Sequence, residues 1–140
     1  MKTLSIHAIS DLPKTAQAIL ENIDSPIVLF YGDMGVGKTT LIKQLAASLG
    51  ANAEEVVSPT FSLINVYQSP LVGEIYHFDL YRLTSPDELM DIGFEDYINS
   101  GSFCFIEWPQ LTERFFKTHY STIHISVENN GIRTLQIKNY

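Results

Sequence analysis

An α/β fold is what the order of patterns in this sequence predicts: a mixed sheet with a parallel core, antiparallel hairpins at its margins, and helices on both faces. Three observations carry the prediction. The apolar run at residues 27–31 enters a glycine-rich turn, and Leu41, Ile42, Leu45, Ala46 and Leu49 then recur at helical spacing. The apolar and aromatic runs at residues 61–67 and 75–81 are joined by a short turn through Ser69-Pro70 and Gly73. Residues 121–128 and 132–138 alternate around Asn129-Asn130-Gly131, a hairpin signal. A strand–loop–helix unit calls for parallel neighbours and hairpins are antiparallel, so the sheet must be mixed.

Taken in order, residues 3–9 alternate loosely and form a first strand. Ser10 or Asp11 caps a helix that tolerates Pro13 in its first turn and turns Ala16, Ile19, Leu20 and Ile23 inward. After the strand at 27–31 and its helix, Gly50 stands where a helix ends. Residues 52–55 are polar and read as a loop. Pro59 favours extended backbone at Ser58. Ser85-Pro86-Asp87-Glu88 reads as a capping box with proline at the first helical position, Gly93 interrupts that helix, and residues 94–98 make a second short one. Residues 102–108 form an apolar strand ending in Glu107, and Pro109 opens a helix through Phe116.

The chain has 140 residues, which predicts one domain over 1–140. No apolar run reaches the ~18 residues of a membrane span, and no apolar leader follows Lys2, so a cytoplasmic protein without membrane association is expected. The lone cysteine, Cys104, lies between Phe103 and Phe105 and reads as a buried structural thiol. The four histidines show no metal-ligand spacing, and His77 reads as a residue that packs or pairs locally. With nine Lys plus Arg and a net charge of −7, the chain has few cations with which to neutralise phosphates, so any link to nucleic acid runs through a partner.

The turn after residue 31 carries the chemistry. Gly32, Gly37, Lys38 and Thr39 satisfy G-x-x-x-x-G-K-[ST], the P-loop spacing, with Asp33, Met34, Gly35 and Val36 between the glycines and Thr40 following. Glycines let backbone N–H groups close around phosphate oxygens. Lys38 reaches the β- and γ-phosphates, Thr39 is placed to ligate magnesium, and the helix aims its positive end at the anion. ATP or ADP with Mg2+ is the expected ligand. Such a site also needs a carboxylate from a neighbouring strand. Glu107, at the end of residues 103–106, has that form, and Asp79, after residues 75–78, is the other candidate. Either acid is equally able to pair with Arg82 or cap a helix. Ser58-Pro59-Thr60 interrupts two apolar runs and reads either as a loop that senses a γ-phosphate or as an ordinary turn.

Taken together, residues 32–40, Val57-Ser58-Pro59-Thr60-Phe61, His77-Phe78-Asp79-Leu80-Tyr81-Arg82, Gly93 with Asp96-Tyr97, and Ile106-Glu107-Trp108-Pro109 resemble the TsaE family of bacterial tRNA threonylcarbamoyladenosine biosynthesis. The resemblance implies a P-loop NTPase-like fold and a magnesium-dependent ATPase, weak alone and stimulated by its partners TsaB and TsaD, which transfer threonylcarbamoyl to adenosine 37. It implies contact with tRNA only through that complex. It implies Thr39 and Glu107 as the magnesium ligands, Ser58 to Thr60 as a switch-like nucleotide loop, and Lys38, Asp79 and Glu107 as the catalytic set, with Asp79 near the γ-phosphate and Tyr81 and Arg82 alongside. Gln110 departs from relatives that carry Glu there, but it lies beyond the implied metal ligand. Two rivals remain at this level. A small-molecule kinase is disfavoured because only Arg82, Arg114 and Arg133 are present, with no arginine-rich lid. A nucleotide-dependent binding module without turnover is disfavoured by the intact lysine, threonine and acids.

Overall fold

In the computed structural model, which describes residues 1–52, 54, 56–57 and 63–140 (backbone alone at 56–57), eight strands form one sheet. They are β1 (Lys2–Ile6), β2 (Ile27–Tyr31), β3 (Val56–Val57), β4 (Ile64–Ser69), β5 (Gly73–Asp79), β6 (Phe103–Glu107), β7 (Ser121–Val127) and β8 (Arg133–Asn139). Their spatial order is β1-β8-β7-β2-β6-β5-β4-β3. The four central strands, β7, β2, β6 and β5, run parallel. The margins are antiparallel: β8 returns on β7 and β1 on β8 at one side, β4 on β5 and β3 on β4 at the other. The expected mixed sheet is present, with its parallel part around the P-loop strand.

Helices α1 (Leu12–Asn22), α2 (Lys38–Ser48), α3 (Pro86–Asp91) and α4 (Phe94–Ile98) cover both faces. The alternation of strand side chains shows how. Val28 and Phe30 turn toward a core built with Ala16, Ile19, Leu41, Ile42 and Leu45 of α1 and α2. Leu29, between them, turns to the opposite core with Leu89 and Phe94 of α3 and α4, Ile92 between those helices, Phe78 and Ile106. Phe94 meets Phe78 edge-on at 5.2 Å, the arrangement that the ring quadrupole favours. Cys104 is fully buried in this second core, and burial pushes its thiol up to about 12. It is a packing residue, as expected.

Several boundaries differ from the sequence expectation, each for a local reason. The first strand stops at Ile6 because the Asp11 carboxylate accepts the His7 and Ala8 N–H groups, both at 3.0 Å, and so turns the chain into a short 3-10 segment, Ile9–Asp11, before α1. α3 starts at Pro86 as expected, but the Ser85 side chain makes no capping bond. Glu88 instead accepts a hydrogen bond from the Thr84 hydroxyl at 2.8 Å. Strand β5 ends at Asp79, two residues early, where the Asp79 carboxylate accepts the Tyr81 N–H at 3.3 Å and supports a turn. The helix opened by Pro109 is a 3-10 helix, Pro109–Phe115. Of the run expected at 61–67, positions 61 and 62 lie outside the described residues, and β4 covers Ile64 onward.

Candidate functional site

Residues 32–37 connect the C-terminal end of β2 to the N-terminus of α2, the order that an anion-binding loop requires. Gly32 is fixed by close approach: a Cβ there would stand 2.8 Å from Val36 Cγ2 and 2.9 Å from the Ile125 carbonyl oxygen. Gly37 caps α2 with φ 105°, a left-handed conformation that other residues adopt only under strain. The Val36 side chain is buried in the α1–α2 core, so its role at the loop falls to its backbone. Asp33, Met34, Gly35, Thr39 and Thr40 are exposed at the loop and helix start.

Lys38, in contrast, is buried at 4% exposure. Its ammonium donates to the Gly32 carbonyl at 2.5 Å and lies 3.6 Å from the centre of the Trp108 ring. Burial pushes the ammonium below its ordinary value, against the opposing pull of Glu107, Asp79 and Asp33. The charge is therefore poorly solvated and poised to gain from an incoming anion.

Sheet register assembles the acids. β5 and β6 are parallel neighbours with Asp79 opposite Glu107, and Glu107 is also opposite Phe30 of β2. Ile75, His77 and Asp79 alternate onto the α2 face, as do Phe105 and Glu107. The Thr39 hydroxyl lies 3.0 and 2.8 Å from the two Glu107 carboxylate oxygens. Met34, Gly35, Gly37, Lys38, Thr39, Thr40, Asp79, Tyr81, Glu107 and Trp108 line one cavity of about 320 Å3. A second cavity, of about 170 Å3, begins on the other side of Gly37 and Thr40, among Ile6, His7, Ala8, Ile9, Leu12 and Arg133.

Of the residues expected from sequence, Lys38, Thr39, Asp79 and Glu107 thus converge, with Tyr81 beside them. Arg82 is exposed, and Ser58 and Thr60 lie outside the described residues. Four contributors were not anticipated. Trp108 covers Lys38 from a left-handed backbone conformation, φ 55° and ψ 58°. Arg133 returns from β8 to donate from Nε to the Val36 carbonyl at 2.8 Å, although nothing in its sequence neighbourhood points to the loop. His77 and Tyr67 are buried behind Glu107. A signal for His77 did exist: it stands two residues before Asp79 in an alternating strand, and so shares its face.

Sheet order, loop and helix define a P-loop NTPase-like α/β protein. Its fold matches that of Bacillus subtilis YdiB, with a TM-score of 0.69 at 24% sequence identity over 97% of this chain and 84% of that one. The model of the family described as threonylcarbamoyl adenosine biosynthesis protein TsaE matches residues 6–135, and the chain belongs to that family. Relatives bearing the name tRNA threonylcarbamoyladenosine biosynthesis protein TsaE include one from Rickettsia prowazekii, 30% identical over 136 residues, 94% of this chain and 93% of the relative. Another, from Haemophilus influenzae, is 41% identical over 100 residues, 69% of this chain and 61% of the relative. The family's place is in the biosynthesis of threonylcarbamoyladenosine in tRNA. Among the described residues no helix is long and apolar enough to cross a membrane.

Proposed function

We propose that the chain binds ATP with magnesium, hydrolyses it, and acts in that way with TsaB and TsaD in the transfer of threonylcarbamoyl to adenosine 37, meeting tRNA only through the complex. The observation that supports this most is the Thr39–Glu107 pair beside Lys38 and Asp79 in one cavity. Hydroxyl and carboxylate oxygens are the hard donors that magnesium takes, and no group of three or more His, Cys, Asp or Glu competes for a metal among the described residues. Magnesium is commonly held by one or two protein oxygens plus substrate phosphates, which fits this sparse set. When bound, it neutralises charge on the β- and γ-phosphate oxygens.

The protein's own groups divide the remaining work. Backbone N–H groups of the loop and first helical turn face the phosphates, apart from that of Val36, which donates to the Asp33 carbonyl at 3.3 Å, and Lys38 contributes a positive charge at the transferring phosphoryl group. Asp79 Oδ1 is held by the Tyr81 amide, which leaves Oδ2 to accept a hydrogen bond from the attacking water. In hydrolysis the water oxygen bonds the γ-phosphorus, the bond from that phosphorus to the bridging oxygen breaks, and ADP leaves with that oxygen. The smaller cavity beyond Thr40 offers apolar walls to the nucleoside end, with Arg133 at its edge.

Two carboxylate variants test this reading. Glu107→Gln keeps size and loses charge, so the magnesium requirement for nucleotide binding and turnover should rise markedly. Asp79→Asn should lower hydrolysis more than ATP affinity. Normal hydrolysis by Asp79→Asn, together with an unchanged magnesium response in Glu107→Gln, would overturn the assignments. A direct optical readout is also built in, because Trp108 is the single tryptophan and its ring faces the Lys38 ammonium. Titration with ADP and magnesium should change its emission saturably as the ammonium turns to phosphate. Emission that stays constant through saturation by calorimetry would mean that Lys38 keeps its place over the ring.

A further inference from the structure

We propose that Tyr67 and His77 are positioning residues that hold the Glu107 carboxylate in the orientation its metal role requires; the inference rests on the magnesium site proposed above. The three side chains come from adjacent strands, β4, β5 and β6, and share the sheet face that α2 covers. All are buried, at 0%, 1% and 3% exposure. His77 Nε2 stands 2.6 Å from Glu107 Oε2, and the Tyr67 hydroxyl 3.2 Å from His77 Nδ1. Tyr67 lies diagonally across the ladder from His77, since its direct partner is Ile75, and the two rings stack at 6.1 Å and 16°.

Donor and acceptor capacity fixes the link that meets Glu107. A carboxylate only accepts hydrogen bonds, so Nε2 carries the hydrogen toward Glu107. In a neutral imidazole Nδ1 is then an acceptor, and the Tyr67 hydroxyl donates to it. The hydrogen bonds connect Tyr67 through His77 to Glu107 Oε2, and the Thr39 hydroxyl donates to the carboxylate from the cavity side. The arrangement pins Oε2 from behind and, with the Thr39 hydroxyl 2.8 Å from Oε2 and 3.0 Å from Oε1, sets the plane of the group. An apolar side chain at position 77 would leave the buried Glu107 carboxylate without its 2.6 Å partner. A fully satisfied polar chain is there instead, and it ends on the one acid that pairs with the P-loop threonine. Losing an outer partner of this kind typically costs a metal site about 10–100-fold in affinity.

The discriminating substitutions exploit amide geometry. Asparagine places its nitrogen near the Nδ1 position and cannot reach Glu107, whereas glutamine places its nitrogen near Nε2 and still donates. Mn2+ serves as the probe, with free ion read by electron paramagnetic resonance in the presence of ADP, and metal-free ADP affinity is measured by calorimetry. His77→Asn should loosen Mn2+ by about 10-fold or more. His77→Gln should stay within about threefold of wild type, below that range. Neither should change metal-free ADP affinity. Tyr67→Phe, which loses a single oxygen, should loosen Mn2+ in the same sense by a smaller factor, and it carries the test if His77→Asn fails to fold. Equal losses in the Asn and Gln variants, parallel loss of metal-free ADP affinity, or wild-type Mn2+ affinity in Tyr67→Phe and His77→Asn would each reduce the chain to a packing role. Wild-type Mn2+ affinity in Glu107→Gln would remove the underlying metal reading and this inference with it, a result distinguishable because it does not depend on His77.

Discussion

Lys38→Ala is expected to abolish the rise in Tm that ADP and magnesium confer on the wild type. A ligand that binds only the native state at a hundredfold excess over its Kd adds ~2.7 kcal/mol. At roughly 2–4 °C per kcal/mol for a chain near this size, the wild-type rise should be about 5–10 °C. The variant loses the ammonium that the loop holds on the Gly32 carbonyl and under Trp108, the charge that the proposed site directs at the β- and γ-phosphates. A second variant separates binding from folding. Burial lowers the Lys38 ammonium more than Glu107, Asp79 and Asp33 raise it, so the charged form is a net cost to the apo fold. Lys38→Met occupies the same buried position without charge, and its apo Tm should therefore equal or exceed that of the wild type while the ligand-dependent rise disappears. The pH dependence has a definite sign. A lysine lowered in the folded state costs stability while protonated, and that cost is relieved as pH rises through its folded pKa toward the ordinary 10.5. Wild type should gain stability over that alkaline window relative to Lys38→Met. A ligand-dependent rise that survives in both variants would put the nucleotide elsewhere.

Much of this architecture was legible because its signals are local. The P-loop is a contiguous spacing whose glycines answer two local needs, close approach at Gly32 and a left-handed backbone at Gly37. Asp79 and Glu107 were legible as acids that end apolar strands, and parallel pairing of β5 with β6 then sets them opposite each other. What was not legible depends on strand order, which no local pattern contains. Tyr67 meets His77 only because β4 returns beside β5, and His77 meets Glu107 only because β6 is inserted next to β5 from 30 residues away. Arg133 reaches Val36 across a separation of 97 residues, through β8 and β7. The capping box at Ser85 failed for a different reason: Thr84 offers Glu88 a closer local donor. Trp108 is the residue that follows Glu107, yet its left-handed backbone is a tertiary outcome, since it brings the indole over Lys38 and against Tyr81 at 5.0 Å.

The largest effect expected is that of the partners on turnover. Phosphoryl transfer needs positive charge at the γ-phosphoryl group as its bond to ADP breaks, and an arginine supplied in trans is worth ~10³–10⁵ in rate. The three arginines of this chain do not line the cavity of Lys38, Asp79 and Glu107: Arg133 is engaged at the Val36 carbonyl, while Arg82 and Arg114 are exposed. Lys38 is the lysine that lines it, and part of its charge is already balanced by Glu107 and Asp79. The isolated chain should therefore hydrolyse ATP slowly. The rim of the cavity carries apolar side chains in solvent, Met34 at 64% and Tyr81 at 55% exposure, where a docking protein would exclude water from the phosphates. Turnover should be measured for the chain alone, with TsaB, with TsaD and with both, at one ATP concentration. A rise of about tenfold or more with both partners, absent in Lys38→Ala, is the expected result of charge supplied in trans. If an arginine is responsible, its alanine variant in the partner should return the rate to the basal value without dissociating the complex. Equal rates with and without partners would overturn the proposal. Fast hydrolysis by the isolated chain would do so as well, because Lys38 and the bound magnesium would then suffice to stabilise the transferring phosphoryl group.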